Sequence, residues 1–382
     1  MKTPYFYGVC FSIAMFILIN TTQSQVNLPD YLRKYYQYTD SAEMAIIDSS
    51  YAKASVYYVK AFEQNKKPFG IDLYNAGITE ALQNKNKESY NYLEQVVAKG
   101  YGINNIEQND AFKTFFKTEY GAKLKTFAKE YKPKFNYRYR AILDSLEEVD
   151  QYYANLSVDN MNTKDNEIYM DSLNKTYLNN SIFLEQLIKK YGFPSEFNIG
   201  LDSNSLLGGP HYIVLLHSNR SIARQNKLLP IVDFTNQINM AIEKGEIVGS
   251  DYFFILDHNN FNGVSFGEVQ DSYALYKHYY DRKRRDFREM TEEEKNYLTE
   301  VGDSSILMTK WGYYKIDESK AKEITSVLEM YGMGNIDNIR KKVLFKKGNN
   351  IFYSKIKGAY NFMSWINEEE YNDVIKDLIP VE

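Results

Sequence analysis

Cysteine is almost absent from this sequence: Cys10 is the only one among 382 residues. It lies inside an apolar N-terminal run, Val9–Ile19, which we expect to be removed from the finished protein. The remainder then has no thiol, which excludes disulfide bonds, a cysteine nucleophile and thiolate metal ligands. Cys10 also stands near the start of the run, whereas the acylated cysteine of a lipoprotein follows such a run.

Apolar runs of membrane-spanning length are lacking as well. The N-terminal run rises only about 16 Å as a helix, against a hydrocarbon core of about 30 Å. With Lys2 before it and Thr22 and Ser24 after it, the segment fits a signal peptide over residues 1–24 with cleavage before Gln25. We therefore predict an exported protein, located in the periplasm or elsewhere in the cell envelope. A retained N-terminal anchor is the alternative.

A strong excess of either charge is also missing. The 46 basic and 50 acidic residues give a formal net charge of −4, which becomes −5 once Lys2 leaves with the signal peptide. This mild acidity argues against nucleic acid as a partner. Because hydrophobic residues make up 44% of the chain, we expect folded domains rather than disorder.

Residues 31–128 show helical periodicity with small residues at repeating positions. Gly77 and Ser89 stand twelve residues apart, a spacing that places two small residues where paired helices cross. The pattern has a period of about 34 residues, so this part resembles tetratricopeptide repeats. An ordinary antiparallel helical bundle is the alternative. The pattern is carried by Ala42, Ala54, Tyr58 and Ala61 in the first unit and by Leu73, Ala76, Gly77, Ser89, Leu93 and Val96 in the second.

The predicted fold class is mainly α. We expect tetratricopeptide-like helical hairpins over residues 25–131, an α-helical domain over 135–285 and a small α+β C-terminal part over 286–382. Pro133 marks the first boundary, because the residue before a proline avoids the helical conformation. The helices expected in the middle domain are Tyr139–Tyr153, Tyr177–Tyr191, Pro210–Asn219, Arg224–Lys244 and a short one over Tyr252–Asp257.

Three elements are predicted in the C-terminal part. Ile306–Ile316 suggests a strand pair around Trp311 and Gly312, and Val343–Lys355 suggests a hairpin around Gly348. Between them, Ser319–Tyr331 has the period of a helix, and Gly332 would end it.

Residues 150–270 resemble an uncharacterised bacterial domain family of unknown function. The matching residues follow in order: Asp150-Gln151, Tyr191 to Pro194, Gly200, His217, Gly245, Leu256-Asp257, Gly267 and Gln270. The chain departs from the family at His258, where an arginine is usual, and after Gln270, where a Tyr-Gly-Thr-Gln run is usual. The resemblance implies no known activity. Members of the family often occur beside helical repeats in exported proteins of Gram-negative bacteria, which agrees with the predicted signal peptide.

His217, Asp257 and Asp150 are the candidate catalytic residues. His217 and Asp257 each end a strongly apolar segment, so we expect them to lie on neighbouring elements and to approach each other. Gln151, His258 and Gln270 are the candidates for ligand binding. The alternative is structural: His217 would cap helix carbonyls or bridge to a carboxylate.

No metal or cofactor is expected. The chain has no HExxH motif, and the six-residue spacing of His211 and His217 does not suit one helical face. Asp257–Glu268 has the acids of a calcium loop but the wrong register, which predicts a turn. Arg282–Arg285, with aromatic residues nearby, would suit a polyanion, although a solvated helix face is the expected structure.

The sequence thus favours an exported protein-interaction or scaffold protein of the bacterial cell envelope. The repeat-like hairpins predict a protein or peptide partner, and no phosphate-binding glycine loop or nucleophile motif indicates an enzyme. The alternative is a periplasmic enzyme or small-ligand-binding protein that uses Asp150, His217 and Asp257. These side chains would then have to converge in a concave pocket.

Overall fold

The first four helices form two antiparallel hairpins: α1 (Asp30–Ile47) with α2 (Tyr51–Gln64), and α3 (Gly70–Leu82) with α4 (Asn86–Ala98). The computed structural model describes residues 26–159, 166–223, 232–256, 260–261, 264–281, 306–348, 352, 355, 360–365 and 368–381. Within these residues the chain is mainly helical with a small sheet near the C-terminus, which confirms the predicted fold class.

The second hairpin closes over small residues, as their spacing predicts. The Ser89 hydroxyl donates to the Gly77 carbonyl at 2.9 Å, so the two helices cross closely at this point. A Cβ on Gly77 would lie 2.8 Å from Leu93 Cδ2. The turn contains Asn84 at a φ of 59°, a left-handed conformation that asparagine tolerates better than most residues.

Helix α3 is enclosed by the rest of the molecule. Every residue from Gly70 to Ala81 is buried, including several polar ones. Its N-cap residue, Phe69, has no side-chain acceptor, and a distant carboxylate takes that role. Both Glu196 oxygens accept from the Gly70 amide, at 3.0 and 3.1 Å, and Lys99 Nζ lies 2.8 Å from the same carboxylate. The middle of the chain therefore fixes the start of α3.

The middle of the chain is built on a long helical hairpin. Its two helices, α7 (Tyr137–Asp159) and α8 (Asn166–Tyr191), pack against each other, and α9 (His211–Ala223) packs on both. Gly192 follows α8 at a φ of +84°, the left-handed conformation that ends a helix. The elements of this part are α5 (Ile103–Glu107), α6 (Glu119–Glu130), α7 (Tyr137–Asp159), α8 (Asn166–Tyr191), α9 (His211–Ala223), α10 (Thr235–Glu243) and α11 (Gly249–Tyr252).

The C-terminal part has a short ribbon and a four-stranded mixed sheet. The strand order of this sheet is β5 (Tyr360–Trp365), β3 (Leu275–Asp281), β4 (Ile306–Tyr314) and β6 (Leu378–Pro380). Strand β3 pairs antiparallel with β4 and parallel with β5, and β4 pairs antiparallel with β6. The elements are β1 (Asn260–Phe261), β2 (Val264–Ser265), α12 (Phe266–Tyr273), β3 (Leu275–Asp281), β4 (Ile306–Tyr314), α13 (Glu318–Met330), α14 (Ile336–Gly348), β5 (Tyr360–Trp365), α15 (Glu368–Ile375) and β6 (Leu378–Pro380).

Two predictions for this part are wrong. Residues 343–348 belong to α14 rather than to a hairpin, because Ile336, Ile339 and Val343 recur at helical spacing and are buried. The Asn335 side chain accepts from the Asn338 amide at 2.9 Å and starts this helix.

Ile306–Tyr314 is one strand rather than a pair. Gly312 serves close packing instead of a turn, since a Cβ there would lie 2.7 Å from the Ile379 carbonyl oxygen. By contrast, α13 ends as predicted, with Gly332 at a φ of +71°.

The described residues contain no helix that combines the length and the apolar character needed to cross a bilayer. The predicted signal peptide, residues 1–24, lies outside them, as do the predicted helix start at Arg224 and the basic cluster Arg282–Arg285.

Candidate functional site

The structure brings two of the three candidate catalytic residues together. His217 Nδ1 on α9 lies 2.7 Å from Asp150 Oδ2 on α7. Since an ionised carboxylate can only accept, Nδ1 carries the proton and donates. The Asp150 side chain is 0% exposed, while that of His217 is 20% exposed. The pair therefore reaches solvent only through its imidazole.

Neighbouring side chains hold this pair in place. Gln151 Nε2 donates to the same Asp150 oxygen at 3.1 Å, so this candidate ligand-binding residue supports the carboxylate. The Tyr177 ring lies against the imidazole, with 4.4 Å between ring centroids. Asp150, His217 and Tyr177 come from α7, α9 and α8, so the pair ties three helices together.

Both members of the pair lie within helices rather than at their ends. Helix α7 runs through Asp150 to Asp159, and α9 runs through His217 to Ala223. Of the two structural roles considered for His217, capping of helix carbonyls therefore does not apply, whereas a bridge to a carboxylate is present. The interaction comes instead from burial: a carboxylate within the core requires a donor, and His217 supplies one.

Of the remaining candidates, Gln270 is the one that the structure describes, and it lies elsewhere in the fold. Asp257 and His258 lie outside the described residues, so their approach to His217 stays a prediction. Gln270 lies on α12, which packs on α13, α14 and β4 rather than on α7 or α9.

His211 lies on the same helix as His217 but in different surroundings. Its Nε2 is 2.5 Å from the Tyr252 hydroxyl, and its ring is buried next to Phe193. Burial lowers the pKa of His211 to about 3, with a small further lowering from Arg140. The imidazole is therefore neutral near pH 7 and serves as a core residue.

A second group of charged side chains connects the N-terminal helices to the C-terminal part of the chain. We call it the five-charge cluster: Asp40, Glu43, Asp72, Lys342 and Lys355. Lys342 Nζ lies 2.5 Å from both Asp40 Oδ1 and Glu43 Oε2. Lys355 Nζ lies 2.5 Å from Asp72 Oδ1 and 3.5 Å from Glu43 Oε1. Helices α1 and α3 supply the acids, and the C-terminal part supplies both lysines.

The cluster is buried and holds one more carboxylate than ammonium groups. Burial alone would lower the pKa of Lys342, but Asp40 and Glu43 outweigh it and raise that pKa above its usual value. Burial raises the pKa of Asp72, against the opposing effect of Lys355. The Tyr35 hydroxyl donates to Asp72 Oδ2 at 2.6 Å and so supports the carboxylate. Buried ions are tolerated only with such partners.

Sequence reasoning missed this cluster. Its only local signal is a set of polar residues on helix faces that otherwise suit a core, such as Glu43 near Ala42 and Ile46, or Asp72 within α3. A cleft of about 350 Å³ between α1 and α13 borders the cluster at Asp40 and is also lined by Arg33, Tyr36, Glu329 and Asn335. Among the described residues, no group of His, Cys, Asp and Glu is arranged to hold a metal ion.

The predicted resemblance of residues 150–270 to an uncharacterised family stays a prediction. No protein-family model, no curated protein and no solved structure matches this chain.

Proposed function

We propose that this protein is an exported protein-interaction or scaffold protein of the bacterial cell envelope, which binds a protein or peptide through its first helical hairpins. The observation that carries the proposal is the outer face of α2. Val56 and Val59, one helical turn apart, are 53% and 47% exposed. Apolar side chains grouped at an exposed surface favour a protein contact.

The inner side of these hairpins is closed by the chain itself. Helix α3 is buried along its length, and α1 is covered where Gly332 lies against the Tyr36 ring and Asn338 donates to Asp40 at 2.6 Å. A partner would therefore meet the outer face, on α2, rather than the inner face of the repeats.

The His217–Asp150 pair is the observation in favour of the alternative, an enzyme or small-ligand-binding protein. A carboxylate fixes the imidazole, as in acid–base sites. The same carboxylate is also held by Gln151, and the pair joins three helices, which is what a structural clamp requires. The interaction protein is therefore the preferred proposal.

Site-specific cross-linking in producing cells tests the interaction. A photoactivatable residue replaces Val59, and Val56→Asp is introduced beside it. We expect a discrete cross-linked product that Val56→Asp abolishes, because a charge on the patch opposes burial in a protein contact. A photoactivatable residue at the similarly exposed Met240 on α10 is the control. Identical products from both positions, or no product from Val59, would rule out this surface.

Cell fractionation tests the export part of the proposal separately. We expect the protein in the envelope fraction with an N-terminus at or near Gln25, as the Thr22 and Ser24 pair predicts. Intact Met1 in a cytoplasmic fraction would end the proposal of export.

A further inference from the structure

Helix α2 carries an apolar row and a basic row side by side on its exposed surface. The apolar row consists of Val56 and Val59. The basic row consists of Lys53 and Lys60, which are both exposed and stand seven positions apart, almost two full turns of the helix. Val56 follows Lys53 by three residues and precedes Lys60 by four, so it adjoins both lysines on the helix surface.

Two tyrosine rings hold the basic row in place. Lys53 Nζ and Lys60 Nζ each lie 5.8 Å from the ring centroid of Tyr57 on the same helix. Lys60 Nζ also lies 5.9 Å from the ring centroid of Tyr38 on α1. Both rings pack against the hydrophobic core. Because a ring face occupies only one side of an ammonium group, N–H donors remain for a second partner.

The surface of α2 is basic, although the whole chain is acidic. Residues 51–67 contain four lysines and one acid, which gives a formal charge of +3, whereas the full chain carries −4. All five of these charged side chains are exposed: Lys53, Lys60, Glu63, Lys66 and Lys67. Within the residues that the structure describes, none of the five forms an ion pair. Carboxylates from another molecule would give the ammonium groups their charge-assisted contacts.

We propose that the partner segment bound by α2 is an acidic amphipathic peptide. It places apolar side chains on Val56 and Val59 and carboxylates at Lys53 and Lys60. These lysines are about 10 Å apart along the helix axis, so the carboxylates need a similar spacing, as positions seven apart on a partner helix provide. The chemistry of the partner rests on the proposed contact at α2 and adds to it.

A lipid surface and a solvated helix face are the competing explanations. Helices that lie in a membrane interface usually insert Trp, Phe or Leu, whereas the exposed apolar residues of α2 are valines. Solvation alone accounts for lysines at the surface, but it predicts no binding that requires the valine and lysine rows together. Only the docked peptide predicts that both rows contribute to one affinity.

Binding of designed peptides to the full protein tests the proposal. Three fluorescein-labelled helical peptides share a row of leucines and carry glutamate, glutamine or lysine in the row beside it. Fluorescence anisotropy at low ionic strength follows their titration with the wild-type protein. We expect the glutamate peptide to bind about tenfold or more tightly than the glutamine peptide, and the lysine peptide to bind most weakly. This comparison requires no protein variant.

Two double variants of equal net charge then locate the contact. Lys53→Met with Lys60→Met removes the basic row, and Lys175→Met with Lys322→Met removes two exposed lysines elsewhere. We expect the first pair to weaken binding of the glutamate peptide about tenfold or more and the second to leave it unchanged. Val56→Asp should also weaken it, because the charge opposes apolar burial. Circular dichroism and chemical unfolding establish that each variant is folded.

Three results would overturn the acidic partner: equal binding of the glutamate and glutamine peptides, equal losses in the two double variants, or no binding of any peptide. Vesicles of phosphatidylglycerol test the lipid alternative. Vesicle binding that requires Lys53 and Lys60, without binding of the glutamate peptide, would also overturn it. Cross-linking from Val59 in cells reports separately on the proposed function. A protein product there, with any of these results, would leave the interaction standing and remove only the acidic chemistry.

Discussion

At the scale of single residues, His211 and His217 show how surroundings decide the chemistry of a side chain. They stand six positions apart on α9. His211 is enclosed beside Tyr252, whereas His217 keeps one edge near solvent and contacts Asp150. Their shared helix therefore carries one histidine that stays neutral and one that is fixed by a carboxylate.

The buried His211 makes stability depend on pH. Its folded-state pKa of about 3 lies below the ordinary value of 6.5, so the unfolded chain binds the proton first as the pH falls. The contribution of His211 to the free energy of unfolding is fully present above pH 6.5 and is lost progressively as the pH falls towards 3. Between pH 7 and pH 5, we expect the protonation of His211 in the unfolded chain to lower the free energy of unfolding by about 2 kcal/mol.

The measurement is chemical unfolding of the wild type and of His211→Gln at both pH values. The variant cannot titrate at this position, so its loss over the interval should be smaller by about that 2 kcal/mol. His278, whose pKa burial lowers to about 4, contributes with the same sign in both proteins. Equal losses in the two proteins would contradict the prediction.

The His217–Asp150 pair leads to a second prediction. His217→Ala leaves the buried Asp150 with Gln151 as its donor, and we expect a loss of about 1–3 kcal/mol in the free energy of unfolding. Cross-linking from Val59 should not change. A His217→Ala variant that keeps its stability but no longer binds a substrate or small ligand would instead favour the enzyme or ligand-binding alternative. Asp150→Asn, which removes the charge but keeps the shape, is the matched comparison.

At the scale of elements, the α3–α4 crossing gives a third prediction. Gly77→Leu places its side chain against Leu93 and should cost about 1–3 kcal/mol through overpacking. Gly267→Leu on α12 is the control, because the nearest atom to a Cβ there is Ser265 Oγ at 4.0 Å. Chemical denaturation measures both. A loss well under half a kilocalorie for Gly77→Leu would place Gly77 away from a close crossing.

Elements with a local signal were predictable from the sequence. The spacing of Gly77 and Ser89 indicated a close crossing, and Gly192 and Gly332 marked helix ends because both adopt positive φ. Helix α14 was not predicted, since Gly348 and the two asparagines that follow it suggested a hairpin. What ends a helix is a local property, but what a buried charge pairs with is not.

The candidate site was predictable only in part, for the same reason. Apolar flanks indicated that His217 would need a partner, and the family-like positions included Asp150. The cluster of Glu43 with Lys342 could not be predicted, because no helical period relates residues at opposite ends of the chain. Tertiary packing alone chooses which lysine meets which acid.

At the scale of the whole molecule, the five-charge cluster should control stability. Lys342→Met leaves Asp40 and Glu43 without their closest cation, and we expect a loss of about 3–5 kcal/mol. Lys341→Met, at the exposed neighbouring position of the same helix, should change little. Chemical unfolding compares the two variants. Similar stabilities would mean that the cluster does not hold the two ends together.

The order of synthesis gives this cluster a consequence in time. Lys342 follows Asp40 by 302 positions, so at about 5–20 residues per second its codon is translated about 15–60 s later. Throughout that interval Glu43 and Asp72 lack the two ammonium groups that accompany them into the folded core. Because burying an unpaired carboxylate is costly, we expect α1 and α3 to reach their final packing only after the C-terminal part has been made. The first segments to be synthesised would then be among the last to fold.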